Sequence, residues 1–188
     1  MDSRQTPAAL KEWAVICDAL AAGRQAILFR KGGIHEGPDG FRPEHSGFWL
    51  FPTGFHQSVD GVRPEFRVAA AGILQQPREP GLIPLQFFST IRSVHWIEEE
   101  SHLAKLQPFH VQTEEALARR FHYRRPGVFV LVVETRQLPE PVIVPNDPRY
   151  DGCHSWVMLN SPQPVDRLLP VREDVSQLAT QADRVLLR

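Results

Sequence analysis

The densest concentration of chemistry-bearing side chains in this 188-residue chain is Arg119-Arg120-Phe121-His122-Tyr123-Arg124-Arg125. Guanidiniums interleaved with aromatic rings are the mixture that grips phosphate oxygens and stacks on nucleic-acid bases. A second basic stretch, Arg30-Lys31-Gly32-Gly33, follows an apolar run and reads as a turn after a strand. Successive backbone N–H groups in such a turn can cradle a phosphate, and the flanking cations add attraction. The stretch matches neither the P-loop nor the dinucleotide-binding fingerprint. Each signal has a plainer structural counterpart. Cations at the end of a helix complement its dipole, and two glycines after a strand make an ordinary turn.

A pocket is expected where aromatic and polar residues crowd together. Phe48-Trp49-Leu50-Phe51-Pro52-Thr53-Gly54-Phe55-His56-Gln57 packs apolar surface around a Pro-Thr-Gly turn and ends in two polar residues. So much apolar area belongs in a core or on a pocket floor. Trp49, Thr53, His56 and Gln57 are its candidate lining, with His35 and Glu36 from the preceding loop. His110 and Trp156, each near another dense segment, complete the set. His35, His56 or His110 could serve as a general acid or base near neutral pH. No partnered catalytic set is legible around any of them.

Other chemistries find no support. His35, His45 and His56 are spaced too widely for a compact ligand motif, so no metal and no cofactor are expected. His95, Glu99 and His102 would share a face only if that segment were helical, and its β-rich composition argues otherwise. A strand followed by Trp-Leu-x-Pro resembles the start of a Nudix hydrolase, but residues 57–76 offer only Asp60 and Glu65, not a glutamate-rich metal helix. Ser155 has no Gly-x-Ser-x-Gly elbow. Cys153 and His154 are strand neighbours pointing to opposite faces, so Cys153 reads as structural.

The elements that must position these residues are short and mixed, as 17 prolines demand. Residues 12–18 fit a strand, or the end of a helix starting at Thr6-Pro7, and Ala26–Arg30 fits a strand; a hairpin is expected to join them. Strands are expected at Phe48–Phe51, Leu85–Ile97, Val128–Val133 and Ser155–Leu159. Short helices are expected over 64–75, with Pro64 in the first turn, and after the capping Thr113, with Leu117 and Phe121 on one face. An amphipathic helix closes the chain over Glu173–Leu186. Strands and helices do not strictly alternate. The expectation is an α+β fold with a strongly bent mixed or antiparallel sheet, or a small open barrel, flanked by short helices. With no repeat or linker in view, residues 1–188 are read as one domain.

Composition narrows the partners. Hydrophobic content of 42% and charged content of 23% suit a globular chain with a real core. No apolar run reaches the roughly 20 residues of a membrane span, and no signal-peptide pattern is present, so a cytoplasmic protein with no membrane partner is expected. Cys17 and Cys153 then read as thiols in a reducing compartment. Arginine outnumbers lysine 18 to 3, yet the net charge is −1. Any nucleic-acid partner must therefore be met by a local patch, not by the chain as a whole.

Five segments together resemble the bacterial family called domain of unknown function 1802. They are Leu10–Val15, Arg30–Ile34, Phe48–Thr53 with His56-Gln57, Pro126–Val133, and Tyr150–Val157. The motif order is kept over nearly the whole chain. Some relatives occur with a restriction-endonuclease-like domain, so the resemblance implies a part in restriction–modification. A chain of this length would be the accessory component beside a nuclease partner. The family supplies no catalytic residues. The leading reading is a module that binds DNA, RNA or a nucleotide through Arg30, Lys31, Gly32, Gly33, Arg119, Arg120, Tyr123, Arg124 and Arg125. The alternatives are a protein-interaction or homo-oligomeric component that docks through Trp49 and Phe55, and a hydrolase-type enzyme using histidine.

Overall fold

A computed structural model describes residues 5–31, 43–54, 58–76, 79–152 and 154–187. Its framework is a seven-stranded open mixed sheet: β1 (Gln5–Trp13), β2 (Ile27–Arg30), β3 (Gly47–Thr53), β4 (Leu82–Ile97), β5 (Val128–Pro145), β6 (Trp156–Pro164) and β7 (Leu169–Pro170). The spatial order is β2-β5-β4-β3-β1-β6, with β7 paired to β5. Only β1 and β3 run parallel, in the register Ala9 to Trp49 and Trp13 to Thr53; the other pairings are antiparallel. Four α-helices flank it: α1 (Ala14–Ala21), α2 (Arg67–Gln75), α3 (Glu114–His122) and α4 (Val175–Leu186). The α+β expectation holds.

The sheet must curl. β2 and β1 are four places apart in the strand order, which in a flat sheet is roughly 19 Å. Yet the Arg30 guanidinium donates to the Lys11 carbonyl at 2.7 Å and meets the Glu12 carboxylate at 3.0 Å. Two register shifts in the β4–β5 pairing, at Leu85/Phe87 and Ile91/Ser93, supply bulges of the kind that bend and twist a sheet.

The continuous apolar runs of the sequence are explained by burial on both faces. In β2, Leu28 points into one cluster with Leu10, Phe48, Leu50, Leu131, Val133 and α1. Ile27 and Phe29 point into another, with Val130, Val132, Leu117 and Phe121 of α3, and Ala179 and Ala182 of α4. In β3, Phe48 and Leu50 face the first of these, while Trp49 and Phe51 face a third cluster with Leu85, Tyr150 and Val157.

Two local expectations are corrected. Residues 12–18 are neither strand nor the end of an earlier helix throughout: β1 ends at Trp13 and α1 begins at Ala14. The hairpin between that segment and β2 does not form. α1 intervenes, and β2 pairs with β5 (Ile27 opposite Val132), which buries Ile27 and Phe29 in the cluster that Val130 and Val132 share with α3 and α4. Among the described residues no helix is long and apolar enough to cross a membrane.

Candidate anion-binding cleft

α3 is built where its signals lie. The Thr113 hydroxyl accepts from the Ala116 N–H at 3.2 Å, Glu114 and Glu115 occupy the first turn, and Arg119, Arg120 and His122 the last. Leu117 and Phe121 anchor one face in the core. Residues 116, 119, 120 and 123 follow helical spacing along the adjacent face, and that face walls a cleft of about 390 Å³. Trp13 from the end of β1, Arg30 and Lys31 from the end of β2, and Ser155 before β6 complete its lining.

Two of the lining guanidiniums, Arg30 and Arg120, lie close to one buried carboxylate outside the lining, Glu12. Buried Glu12 pairs with Arg30, and its other oxygen accepts from the Trp13 N–H at 2.8 Å. Arg120 donates to the Phe29 carbonyl at 2.7 Å, which satisfies a backbone group at the edge strand, and its guanidinium lies 5.6 Å from the Trp13 ring centroid. Burial pulls the Arg120 pKa below the ordinary arginine value; Glu12 opposes that pull and Arg30 adds to it. Among the described residues, two guanidiniums thus meet one carboxylate where charge is costly to hold, an arrangement suited to an incoming anion.

Lys31 shapes the rim. Its ammonium donates to the carbonyls of Phe121, Arg125 and Gly127, closing the C-terminal end of α3 and the turn after it. Burial, and then Arg125, lower its pKa. The turn needs unusual backbone: Arg124 has φ 64 and Gly127 φ 114. A Cβ at Gly127 would lie 2.2 Å from Trp96 Cζ2, so only glycine fits. On the rim Tyr123 is 52% exposed, with the Arg124 guanidinium 5.2 Å from its ring centroid.

The expected site residues therefore separate. Arg30, Lys31, Arg119, Arg120 and Tyr123 are brought together. Arg124 and Arg125 leave the cleft because the helix ends at His122 and the chain turns left-handed; Arg125 lies over Trp96 at 5.4 Å. Trp49 is core, with no exposed surface, packed edge-on to Phe88 at 5.3 Å. Thr53 caps the Glu12 carbonyl at 3.3 Å, and Trp156 packs edge-on to Phe48 and His45. His110 is buried against Phe29; its Nδ1 accepts from the Gln112 N–H at 3.2 Å, and burial, then Arg63, lower its pKa to about 4. It is a neutral core imidazole, unfit as a solvent-facing base. Gly32, Gly33, His35, Glu36, Phe55, His56, Gln57 and Cys153 lie outside the described residues. Among the described residues no group of three or more His, Cys, Asp or Glu could hold a metal ion.

Sequence reasoning missed Glu12, Trp13 and Ser155 as neighbours of the basic patch. The one available signal was Glu12 itself, a charged residue beside an apolar run that demanded a buried cation partner.

Comparison with known proteins bears on family and fold. A family model described as Domain of unknown function (DUF1802) matches residues 9–183. No curated protein matches the chain. Among solved structures, ASCH from Zymomonas mobilis is similar at 13% identity and a TM-score of 0.43, covering 93% of each chain. A serine-to-alanine mutant of ZmASCH aligns at 11% identity and a TM-score of 0.42, over 95% of this chain and 96% of that one. At those values the likeness carries no functional argument.

Proposed function

We propose that this chain, which belongs to the DUF1802 family, is a binding module for a phosphate-bearing ligand, a nucleic acid or a nucleotide. The observation that carries the reading is the crowding of Arg30, Lys31, Arg119 and Arg120 into one cleft with Trp13 and Tyr123. The described lining holds no carboxylate, and the buried Glu12 that pairs with Arg30 is not part of it. Cations fix phosphate oxygens and aromatic rings accept bases, a division of labour common to single-strand binding proteins. Arg119 is exposed and makes no ion pair or hydrogen bond among the described residues, so its guanidinium is available to a ligand. His110, one of the candidate general bases, is buried and stands outside the lining. Deep burial of Trp49 weighs against docking of a partner through that residue. Within this reading, the chain acts in the bacterial cytoplasm as the accessory partner of a nuclease in restriction–modification.

The test is a fluorescence-anisotropy titration with labelled single-stranded and duplex DNA and RNA at low and physiological salt. Binding that weakens steeply with salt is expected. Arg119→Ala should weaken it and reduce the slope of log K against log salt by about 0.7–0.9. Absence of binding to all four probes, and to free nucleotides, would refute the reading.

A further inference from the structure

We infer that the cleft takes one nucleotide unit at a time, its phosphate over Arg30 and Arg120 and its base against Tyr123. This rests on the binding reading above and narrows it. The first ground is size. A cleft of about 390 Å³ falls at the small end of the roughly 300–1,000 Å³ range of small-molecule pockets. A helical duplex cannot enter it, and a base can reach its aromatic wall only when unstacked from its neighbours.

The second ground is the distribution of charge. A polyanion carrying a charge every few ångströms is held by a track of unpaired cations. Outside the cleft, Arg24, Arg63, Arg92, Arg136, Arg149 and Arg172 are each paired with an Asp or Glu carboxylate. Within a chain whose net charge is −1, the cleft is where Arg30, Lys31, Arg119 and Arg120 meet on one lining, while the exposed Lys105, Arg124, Arg125, Arg167 and Arg184, which make no ion pair among the described residues, lie off it. That suits a ligand with one or two phosphates better than a long strand.

The third ground is preorganisation. Lys31 ties three carbonyls of the rim turn, Gly127 is locked under Trp96, and Arg124 holds a backbone conformation unfavourable for a non-glycine residue. Such strain is kept where surrounding structure over-determines it, and here it fixes a half-exposed tyrosine at the mouth of a basic cleft. The base platform is therefore set before the ligand arrives.

Isothermal titration of the full chain with AMP, adenosine and inorganic phosphate, together with competition by AMP against a labelled single-stranded oligonucleotide, tests this. AMP should bind, and should displace the oligonucleotide wherever the latter binds. Phosphate alone should bind at least about fivefold more weakly, for lack of a stacked base. Tyr123→Ala should weaken AMP about five- to hundredfold and leave phosphate unchanged, while Arg119→Ala, an exposed and fold-neutral change, should weaken both. Oligonucleotide binding that AMP does not displace at millimolar concentration would overturn the one-nucleotide inference and leave the binding reading standing. Phosphate binding as tight as AMP would also overturn it, as an anion site without a base platform. If none of the probes binds, the binding reading falls, and the inference with it.

Discussion

Glu12→Gln separates a cleft built for an anion from one that merely contains arginines. Glu12 is 6% exposed, and its carboxylate is the counter-charge to Arg30 at 3.0 Å, with Arg120 also near. Glutamine keeps the shape and can still accept from the Trp13 N–H, but it removes the carboxylate that pairs with Arg30 and that opposes the lowering of the Arg120 pKa. Breaking a buried pair from one side costs about 3–5 kcal/mol. The retained hydrogen bond returns about 1 kcal/mol, so a net loss of about 2–4 kcal/mol is expected. At 2–4 °C per kcal/mol for a chain of this size, the melting temperature should fall by about 5–15 °C. A bound phosphate should then do more for the mutant than for the wild type. A carboxylate roughly 7 Å from a phosphate at an effective dielectric near 20 repels it by about 2 kcal/mol, and the mutation removes that repulsion. Urea and thermal denaturation of both proteins, with and without saturating AMP, measure all of this. A loss below about 1 kcal/mol, or an AMP-induced shift no larger in the mutant than in the wild type, would refute the charge-excess argument.

Three further outcomes are expected. His110 titrates at about 4 in the fold against an ordinary 6.5, so the unfolded chain takes up the proton first as pH falls. The stabilisation from this group is whole above pH 6.5 and fades by about 3 kcal/mol as pH drops toward 4; His110→Phe should flatten that acid limb in denaturation midpoints measured across the range. Gly127→Ala must seat a methyl 2.2 Å from the Trp96 ring at φ 114, and should cost about 3 kcal/mol or more in urea denaturation and shift the tryptophan emission. Arg124→Gly relieves a left-handed residue, so stability should hold or rise by up to about 1 kcal/mol while AMP affinity falls, since the cation behind the Tyr123 ring is lost.

What the sequence made legible was what local physics controls. The run Val128–Val133 reads as a doubly buried strand because its two faces meet two apolar clusters, and the cap at Thr113 with Leu117 and Phe121 fixes α3 and the side it buries. Pairings distant along the chain were not legible. Nothing local says that β1 runs parallel to β3, or that β2 joins β5 a hundred residues on, so the false hairpin followed from proximity alone. The basic patch was visible as composition but not as geometry. Helical spacing sends Arg119, Arg120 and Tyr123 to one face, yet only knowing that the helix ends at His122 and turns left-handed at Arg124 removes Arg124 and Arg125 from it. Trp49 looked like pocket and core alike, because an aromatic residue in an apolar run has the same appearance in both.

The central claim is that the ligand sits between the ends of β1 and β2 and the outer face of α3. A ¹H–¹⁵N correlation spectrum of the assigned protein, titrated with AMP, tests it most directly. The account predicts saturable shifts at the Trp13 indole N–H and at the amides of Lys31, Arg119, Arg120, Tyr123 and Ser155, with α2 and α4 undisturbed. Shifts clustered on α2 or α4 instead, or none anywhere at millimolar AMP and with single-stranded oligonucleotides, would contradict it.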